Sequence, residues 1–263
     1  MEIVLSIAGS DPSSGAGIQQ DLKTLTAMGC YGATVITALT SQNTMGVQDV
    51  YAVPANVVSS QLESVLSDLS VAAVKIGQIP NIGVAEAIVA HLSRLQAQRD
   101  VPIVYDPVMV STSGRRLMEA SCVSYVSEHL FPLCTLVTPN IPEASSLSGR
   151  ELQTVEDIDA AGLLLVNRHR TAFLLKGGHL EGSEMTDRLY LANGSIHAFA
   201  THKVDSKNLH GTGCTLSSAI AAGLAKKQPL TKAIESAKNA ISHAILRGKD
   251  LHIGHGNGPV WVE

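Results

Sequence analysis

Aromatic side chains are scarce in this chain of 263 residues, at 3%, and charged ones reach only 16%. Lys and Arg number 19 against 23 Asp and Glu, a formal net charge of −4, and no basic run stands out. Without a phosphate-tracking surface or a base-stacking platform, the composition argues against a nucleic-acid partner. Cys30, Cys122, Cys134 and Cys214 are widely spaced with no Cys-x-x-Cys pair. That spacing offers neither a disulfide framework nor a zinc knuckle, and it fits thiols kept reduced in a cytoplasmic setting. No uninterrupted apolar run reaches the roughly 18 residues of a membrane span. The opening segment lacks a basic n-region, and its apolar stretch stops at Gly9-Ser10-Asp11, which makes a poor signal peptide.

What is present is a hydrophobic content of 45%, enough for a large core and incompatible with disorder. With no internal repeat, low-complexity tract or linker, residues 1–263 read as a single domain. Residues 3–8 read as a buried strand running into the loop Gly9-Ser10-Asp11-Pro12-Ser13-Ser14-Gly15-Ala16-Gly17. A helix carrying Ile18, Leu22 and Leu25 on one face follows, with Gly29 as its stop. Strand, glycine loop and helix in that order suggest a ligand loop at the top of a parallel sheet. A dinucleotide fingerprint fails, because Gln20 stands where its third glycine belongs. The alternation continues with strands at 33–40, 71–76, 101–105, 135–137 and 172–175. Intervening helices include one capped by Asn81, one at about 123–130 and one opened by Thr154 with Asp157. Segments 187–192 and 195–204 flank Asn193-Gly194, which suits the two positive φ angles of a type I′ turn. An antiparallel hairpin is therefore expected at one edge of a mostly parallel sheet.

Polar residues gather at the predicted strand ends. Ser41-Gln42-Asn43-Thr44 reads either as a polar loop or as the reader of a small heterocycle's edge. Asp106 offers a carboxylate for a metal or its waters, and the loop at 108–116, with Arg115 and Arg116, either closes over phosphates or is solvated. Asn140 and Glu143, spanning a helix start, lie close enough to share one metal-bound water, although Glu143 equally suits a first helical turn on dipole grounds alone. Lys176, ahead of Gly177-Gly178-His179, either reaches phosphates as a point charge or is solvated. His252-Ile253-Gly254-His255 is a metal pair or a glycine-rich tail packed on the surface.

The chain is organised around Asn208-Leu209-His210-Gly211-Thr212-Gly213-Cys214-Thr215. Leu216, Ile220 and Leu224 follow at helical spacing, so both glycines fall in the turn that opens a helix, and Cys214 in its first turn. Such a start aims unpaired N–H groups and the positive end of the dipole at whatever occupies the turn. The same field lowers a thiol pKa, so Cys214 is a candidate base at neutral pH; the alternative is a tight turn with a small buried residue.

Taken together, the 9–17 loop, Ser41-Gln42-Asn43-Thr44, Asp106-Pro107-Val108-Met109, Thr138-Pro139-Asn140-x-x-Glu143, Lys176-Gly177-Gly178-His179 and His210-Gly211-Thr212-Gly213-Cys214-Thr215 resemble a known family over nearly the whole chain. It is that of the bacterial hydroxymethylpyrimidine/phosphomethylpyrimidine kinases of thiamine synthesis, in the ribokinase-like superfamily. The resemblance implies a three-layer α/β fold with a central, mostly parallel sheet, no large lid domain, and a homodimer. It implies ATP- and Mg²⁺-dependent phosphorylation of 4-amino-5-hydroxymethyl-2-methylpyrimidine and then of its monophosphate. Gln42 matches the residue that binds the pyrimidine, and Gly9, Ala16 and Asp21 match the substrate-side loop. Asp106 and Glu143 match the magnesium side, while Lys176, Asn140 and Thr212 match the phosphate side. Gly211, Gly213 and Cys214 match the anion hole and the catalytic position. One departure is Gln78, where many members carry methionine after the motif matching Lys75-Ile76-Gly77. The alternatives are a pyridoxal kinase of the same fold, against which Ser111 stands in place of a lid cysteine, and a non-catalytic ligand sensor.

Overall fold

The computed structural model describes residues 1–111, 114–177 and 184–263, the side chain of Glu184 excepted. Its strands are β1 (Ile3–Ser10), β2 (Tyr31–Asn43), β3 (Gly46–Ala52), β4 (Val71–Ile76), β5 (Ile103–Tyr105), β6 (Leu136–Val137), β7 (Ala172–Leu175), β8 (Glu184–Tyr190) and β9 (Ile196–His202). They form one sheet in the order β3-β2-β1-β4-β5-β6-β7-β8-β9. The strands from β2 across to β7 pair in parallel, and β3, β8 and β9 join antiparallel. The helices are α1 (Gly17–Ala27), α2 (Ala55–Asp68), α3 (Ile82–Gln98), α4 (Ala120–Tyr125), α5 (Ile141–Ser148), α6 (Val155–His169), α7 (Thr212–Ala225) and α8 (Leu230–Gly248).

Successive strand residues point to opposite faces, and both faces are covered. Leu5, Val74, Ile103, Val137 and Phe173 pack with Val58 and Leu62 of α2, Ile88 of α3 and Leu165 of α6. Their neighbours Val4, Ala73, Val104, Leu136 and Leu174 pack instead with Leu25 of α1, Ile220 of α7 and Ile234 of α8. The result is three layers. Small residues at Ala219, Ala221 and Ala222 let α7 lie close on the sheet.

Several expectations need correction. The expected hairpin closes one edge as β8–β9, and an antiparallel pair closes the other edge as well, because β2 continues through Gln42 and turns back as β3. Ser41-Gln42-Asn43 is therefore strand; its alternation of exposed and half-buried residues hid an edge strand inside a polar tetrapeptide. The β8–β9 connection is not type I′. Gly194 has φ +83° while Asn193 is not in the left-handed region. The Gly194 amide donates to the Leu191 carbonyl and the Leu191 amide to that of Ser195, a type I turn followed by a glycine bulge. The helix expected at 123–130 is α4 followed by a π-type turn at Val126–Leu130. The caps at Asn81 and Thr154 form as expected.

Candidate active site

The carboxyl ends of the parallel strands bring the polar motifs together, as open α/β sheets do. Asp106 follows β5, Thr138 and Asn140 follow β6, and Lys176 follows β7. Lys176 is not solvated: its Nζ lies 2.7 Å from Asp106 Oδ1. Thr138 Oγ1 also donates to that oxygen, at 3.2 Å. Burial alone would lower the Lys176 pKa, but the charges of Asp106 and Glu143 outweigh it and hold the ammonium raised.

Opposite this pair, α7 begins. Gly211 caps it at φ +84°, and a Cβ there would collide with the Gly15 carbonyl, so the position requires glycine. A Cβ on Gly213 would sit 3.0 Å from Asp106 Oδ2 and 3.6 Å from Lys176 Nζ. Glycine thus keeps open the space between helix start, carboxylate and ammonium. The Thr212 amide donates to the Leu209 carbonyl, whereas among the described residues no protein group accepts from the amides of Gly213 and Cys214. Those two N–H groups and the helix dipole are what an anion would meet.

Cys214 is half-buried, beside charged groups rather than hydrocarbon. Its thiol is nonetheless not activated at rest. Burial pushes it up to about 11, although the Lys75 ammonium and a hydrogen bond from the Gly17 amide favour the thiolate. The thiol is thus raised where a helix start alone would lower it, because desolvation exceeds the help of Lys75 and the Gly17 amide.

Asn140 and Glu143 form a reciprocal capping box on α5. The Glu143 amide donates to Asn140 Oδ1 at 2.9 Å, and the Asn140 amide to Glu143 Oε2 at 2.8 Å. Glu143 thus lies in the first turn of its helix, and its buried carboxyl is raised to about 7, chiefly by desolvation, with Lys176 opposing and Asp106 reinforcing. Among the described residues no group of three or more His, Cys, Asp or Glu could hold a metal by itself. Two carboxylates beside an anion site nevertheless fit magnesium, which is commonly held by one or two carboxylates together with phosphate oxygens and water. Asp106 Oδ2, left open by Gly213, is the better placed donor.

At the end of β2, the side-chain amide of Gln42 lies 3.1 Å from His210 Nε2. His210 Nε2 is 3.0 Å from Asp11 Oδ2. Asp11 also accepts from the amides of Ser13, Gly15 and Ala16, so the 9–17 loop turns these N–H groups inward and not toward a ligand. Burial would raise the Asp11 pKa, but hydrogen bonds from His210 and Ser13 outweigh it and hold it low. Gln78 is buried with its side-chain oxygen against Gly9, where a Cβ would collide with it.

Asp21 does not belong to the substrate-side loop. It lies on α1, fully buried, and its carboxylate is saturated by Lys75 Nζ at 2.8 Å to both oxygens, Ser6 Oγ at 2.6 Å and Ser218 Oγ at 2.8 Å. Asp21 and the neighbouring Cys214 and Asp106 hold the Lys75 ammonium raised against its burial. Sequence reasoning passes over Lys75, Asp11 and His210 as site residues. The one available signal was a lysine inside an otherwise apolar strand.

Arg115 lies 3.8 Å from Asp49 in an exposed pair, and the neighbouring Thr112 and Ser113 lie outside the described residues, as do Gly178 and His179. The 252–258 tail packs on the β2–β3 turn, where the Gly256 amide donates to Thr44 Oγ1 at 3.2 Å. The Gly258 amide donates to Asn208 Oδ1 at 3.0 Å. No described helix is long and apolar enough to cross a membrane.

A three-layer sheet whose strand ends set an acid and a lysine against a glycine-opened helix defines a small-molecule phosphotransferase of the ribokinase-like class. The sequence model of a family described as Phosphomethylpyrimidine kinase matches residues 11–261, and the chain belongs to that family. It is 46% identical over 261 residues to the hydroxymethylpyrimidine/phosphomethylpyrimidine kinase of Rhizobium meliloti, covering 98% of this chain and 96% of that one. The crystal structure of phosphomethylpyrimidine kinase from Clostridium difficile matches with a TM-score of 0.81 at 38% identity, over 93% of this chain and 100% of that one. The ADP complex of Bacillus subtilis pyridoxal kinase matches with a TM-score of 0.88 at 32% identity, over 100% of this chain and 97% of that one.

Proposed function

We propose that this chain transfers the γ-phosphoryl group of ATP to the hydroxymethyl group of 4-amino-5-hydroxymethyl-2-methylpyrimidine, and then a second one to the resulting monophosphate. The observation that carries this is the open space at Gly213, bounded by two unpaired amides, Asp106 and Lys176, on a helix start whose preceding residue His210 touches Gln42. Lys176 is assigned to the phosphates as a point charge, with Asn140 and Thr212 on the same side. Gly211 and Gly213 form the anion hole, and Asp106 and Glu143 would hold magnesium, which when bound neutralises phosphate charge. Gln42, with Gly9 and Ala16 beside it, faces the ring.

Phosphoryl transfer through a loose transition state needs positioning and charge neutralisation more than a strong base. Cys214, beside the anion hole, is assigned to receive the alcohol proton late, with Lys75 as the charge that favours the thiolate. In the second step the attacking phosphate already carries about 1.5 to 2 negative charges and needs no base.

The single domain spans 1–263 in this reading, supported by the one continuous sheet. Exposed Leu39, Met45 and Tyr51 on the β2–β3 edge support a homodimer, which light scattering tests. Pyridoxal phosphorylation is the second reading, favoured by the likeness to the Bacillus subtilis enzyme. An ATP-consumption assay with the hydroxymethylpyrimidine, its monophosphate and pyridoxal side by side decides between them. Turnover of both pyrimidines is expected; turnover of pyridoxal alone, or of none, overturns the proposal.

A further inference from the structure

The Gln42 side-chain amide lies between His210 and Thr40, and the other partners of these two residues set their donor and acceptor roles. One end of the Gln42 amide lies 3.1 Å from His210 Nε2 and the other 3.2 Å from Thr40 Oγ1. The two ends of an amide are alike in shape, so their identity follows from their neighbours. At His210, Nε2 faces Asp11 Oδ2 at 3.0 Å. Asp11 is buried and accepts hydrogen bonds on both oxygens, so Nε2 carries a proton directed at that carboxylate. That nitrogen then has no lone pair for an NH₂ group, whereas a carbonyl oxygen can share its proton with Asp11 Oδ2. At Thr40, the hydroxyl proton is committed to the Ser10 carbonyl at 2.9 Å. Toward Gln42 the same oxygen therefore accepts, and it needs a donor opposite. Both neighbours require the amide oxygen at His210 and the NH₂ at Thr40, the reverse of the orientation in which the nitrogen end faces His210.

We propose that Asp11 and His210 are positioning residues that lock the Gln42 amide in this orientation and so determine which heterocycle edge the pocket accepts. The remaining lone pair of Oε1 and the remaining N–H of Nε2 present an acceptor on the His210 side and a donor on the Thr40 side. The complementary edge is an amidine, a ring nitrogen next to an exocyclic amino group. A 4-oxo ring with a protonated nitrogen presents the opposite pattern, and turning it over carries the hydroxymethyl group away from the anion hole. The inference rests on the proposed pyrimidine substrate and adds the source of its selectivity.

The variant that tests it is His210→Leu. A hydrocarbon at 210 removes the ring N–H that fixes the amide oxygen and lets Gln42 turn over. Steady-state kinetics would compare 4-amino-5-hydroxymethyl-2-methylpyrimidine with its 4-oxo analogue. The ratio of their kcat/KM values is expected to fall at least about tenfold, mainly through a higher KM for the amino compound, with KM for ATP unchanged. Equal losses on both pyrimidines overturn the proposal and leave His210 as a residue that only packs the loop. Neutron diffraction from the unmodified, ligand-free protein reads the amide without any turnover. Deuterium on the atom facing Thr40 is expected, and deuterium on the atom facing His210 overturns the assignment. If the unmodified protein phosphorylates neither pyrimidine, the functional reading fails, while the deuterium positions still decide the orientation of Gln42.

Discussion

Lys176 Nζ and Asp106 Oδ1 are 2.7 Å apart, so the two charges assigned to phosphate and magnesium neutralise each other in the ligand-free protein. In the proposed reading, bound nucleotide and magnesium would take the place of each partner and leave neither charge unpaired. Lys176→Met is expected to lower kcat by about 10²–10³, the scale of losing one preorganised charge donor. Pre-steady-state kinetics with saturating ATP would show it. A loss confined to KM for ATP would assign Lys176 to ground-state binding alone.

Cys214→Ala is expected to slow the first phosphorylation at least about tenfold, within the range of general-base catalysis, and to affect the second little. Because burial holds the thiol at about 11, a base role makes the first step accelerate as pH rises from neutrality, while the second stays flatter. Single-turnover rates for both substrates across that range are the measurement. Equal losses in the two steps remove Cys214 from the role of base.

The Glu143 carboxyl stands at about 7 in the folded protein against an ordinary 4.5. A raised acid favours the folded state in its protonated form. Its contribution is full below about pH 4.5 and is lost as pH rises toward about 7, by roughly 3 kcal/mol at most. Thermal melts across this window are expected to show that decline, and Glu143→Gln to flatten it. Occupancy by Mg²⁺ demands the ionised form, so its stabilising effect is expected to grow with pH over the same interval.

Asp21 and Lys75 form a buried pair with no solvent to screen either charge. Asp21→Asn leaves an uncompensated ammonium and is expected to cost about 3–5 kcal/mol, a fall in Tm of roughly 6–20 °C at this chain length. Adding Lys75→Met to it is expected to cost less than the sum of the two single changes, as a double-mutant cycle by calorimetry would measure. Additive losses would show that the pair is not coupled.

What could be read from the sequence were the places where the chain changes direction. Asp106, Asn140 and Lys176 each follow a short apolar run, and an apolar run that stops at a polar residue marks a strand end in an α/β sheet. Gly211 and Gly213 ahead of Leu216 and Ile220 likewise marked the helix start. Pairing across the sheet was hidden, because it depends on residues far apart in the chain. Nothing near Asp21 reveals that Lys75 saturates it, and nothing near Gln42 shows that His210 and Asp11 stand behind it. The Cys214 thiol was misjudged for a related reason. Its own helix start is local and legible, whereas the desolvation, the Lys75 charge and the Gly17 amide that set its pKa all come from tertiary packing.

The tail that docks on the β2–β3 turn gives the pocket a history as well as a shape. Thr44 and the Gly256 amide that binds it are 212 residues apart. A ribosome adding about 5–20 residues per second separates their synthesis by roughly 10–40 s. Through that interval the turn that follows Gln42 lacks the tail that hydrogen-bonds it in the finished fold.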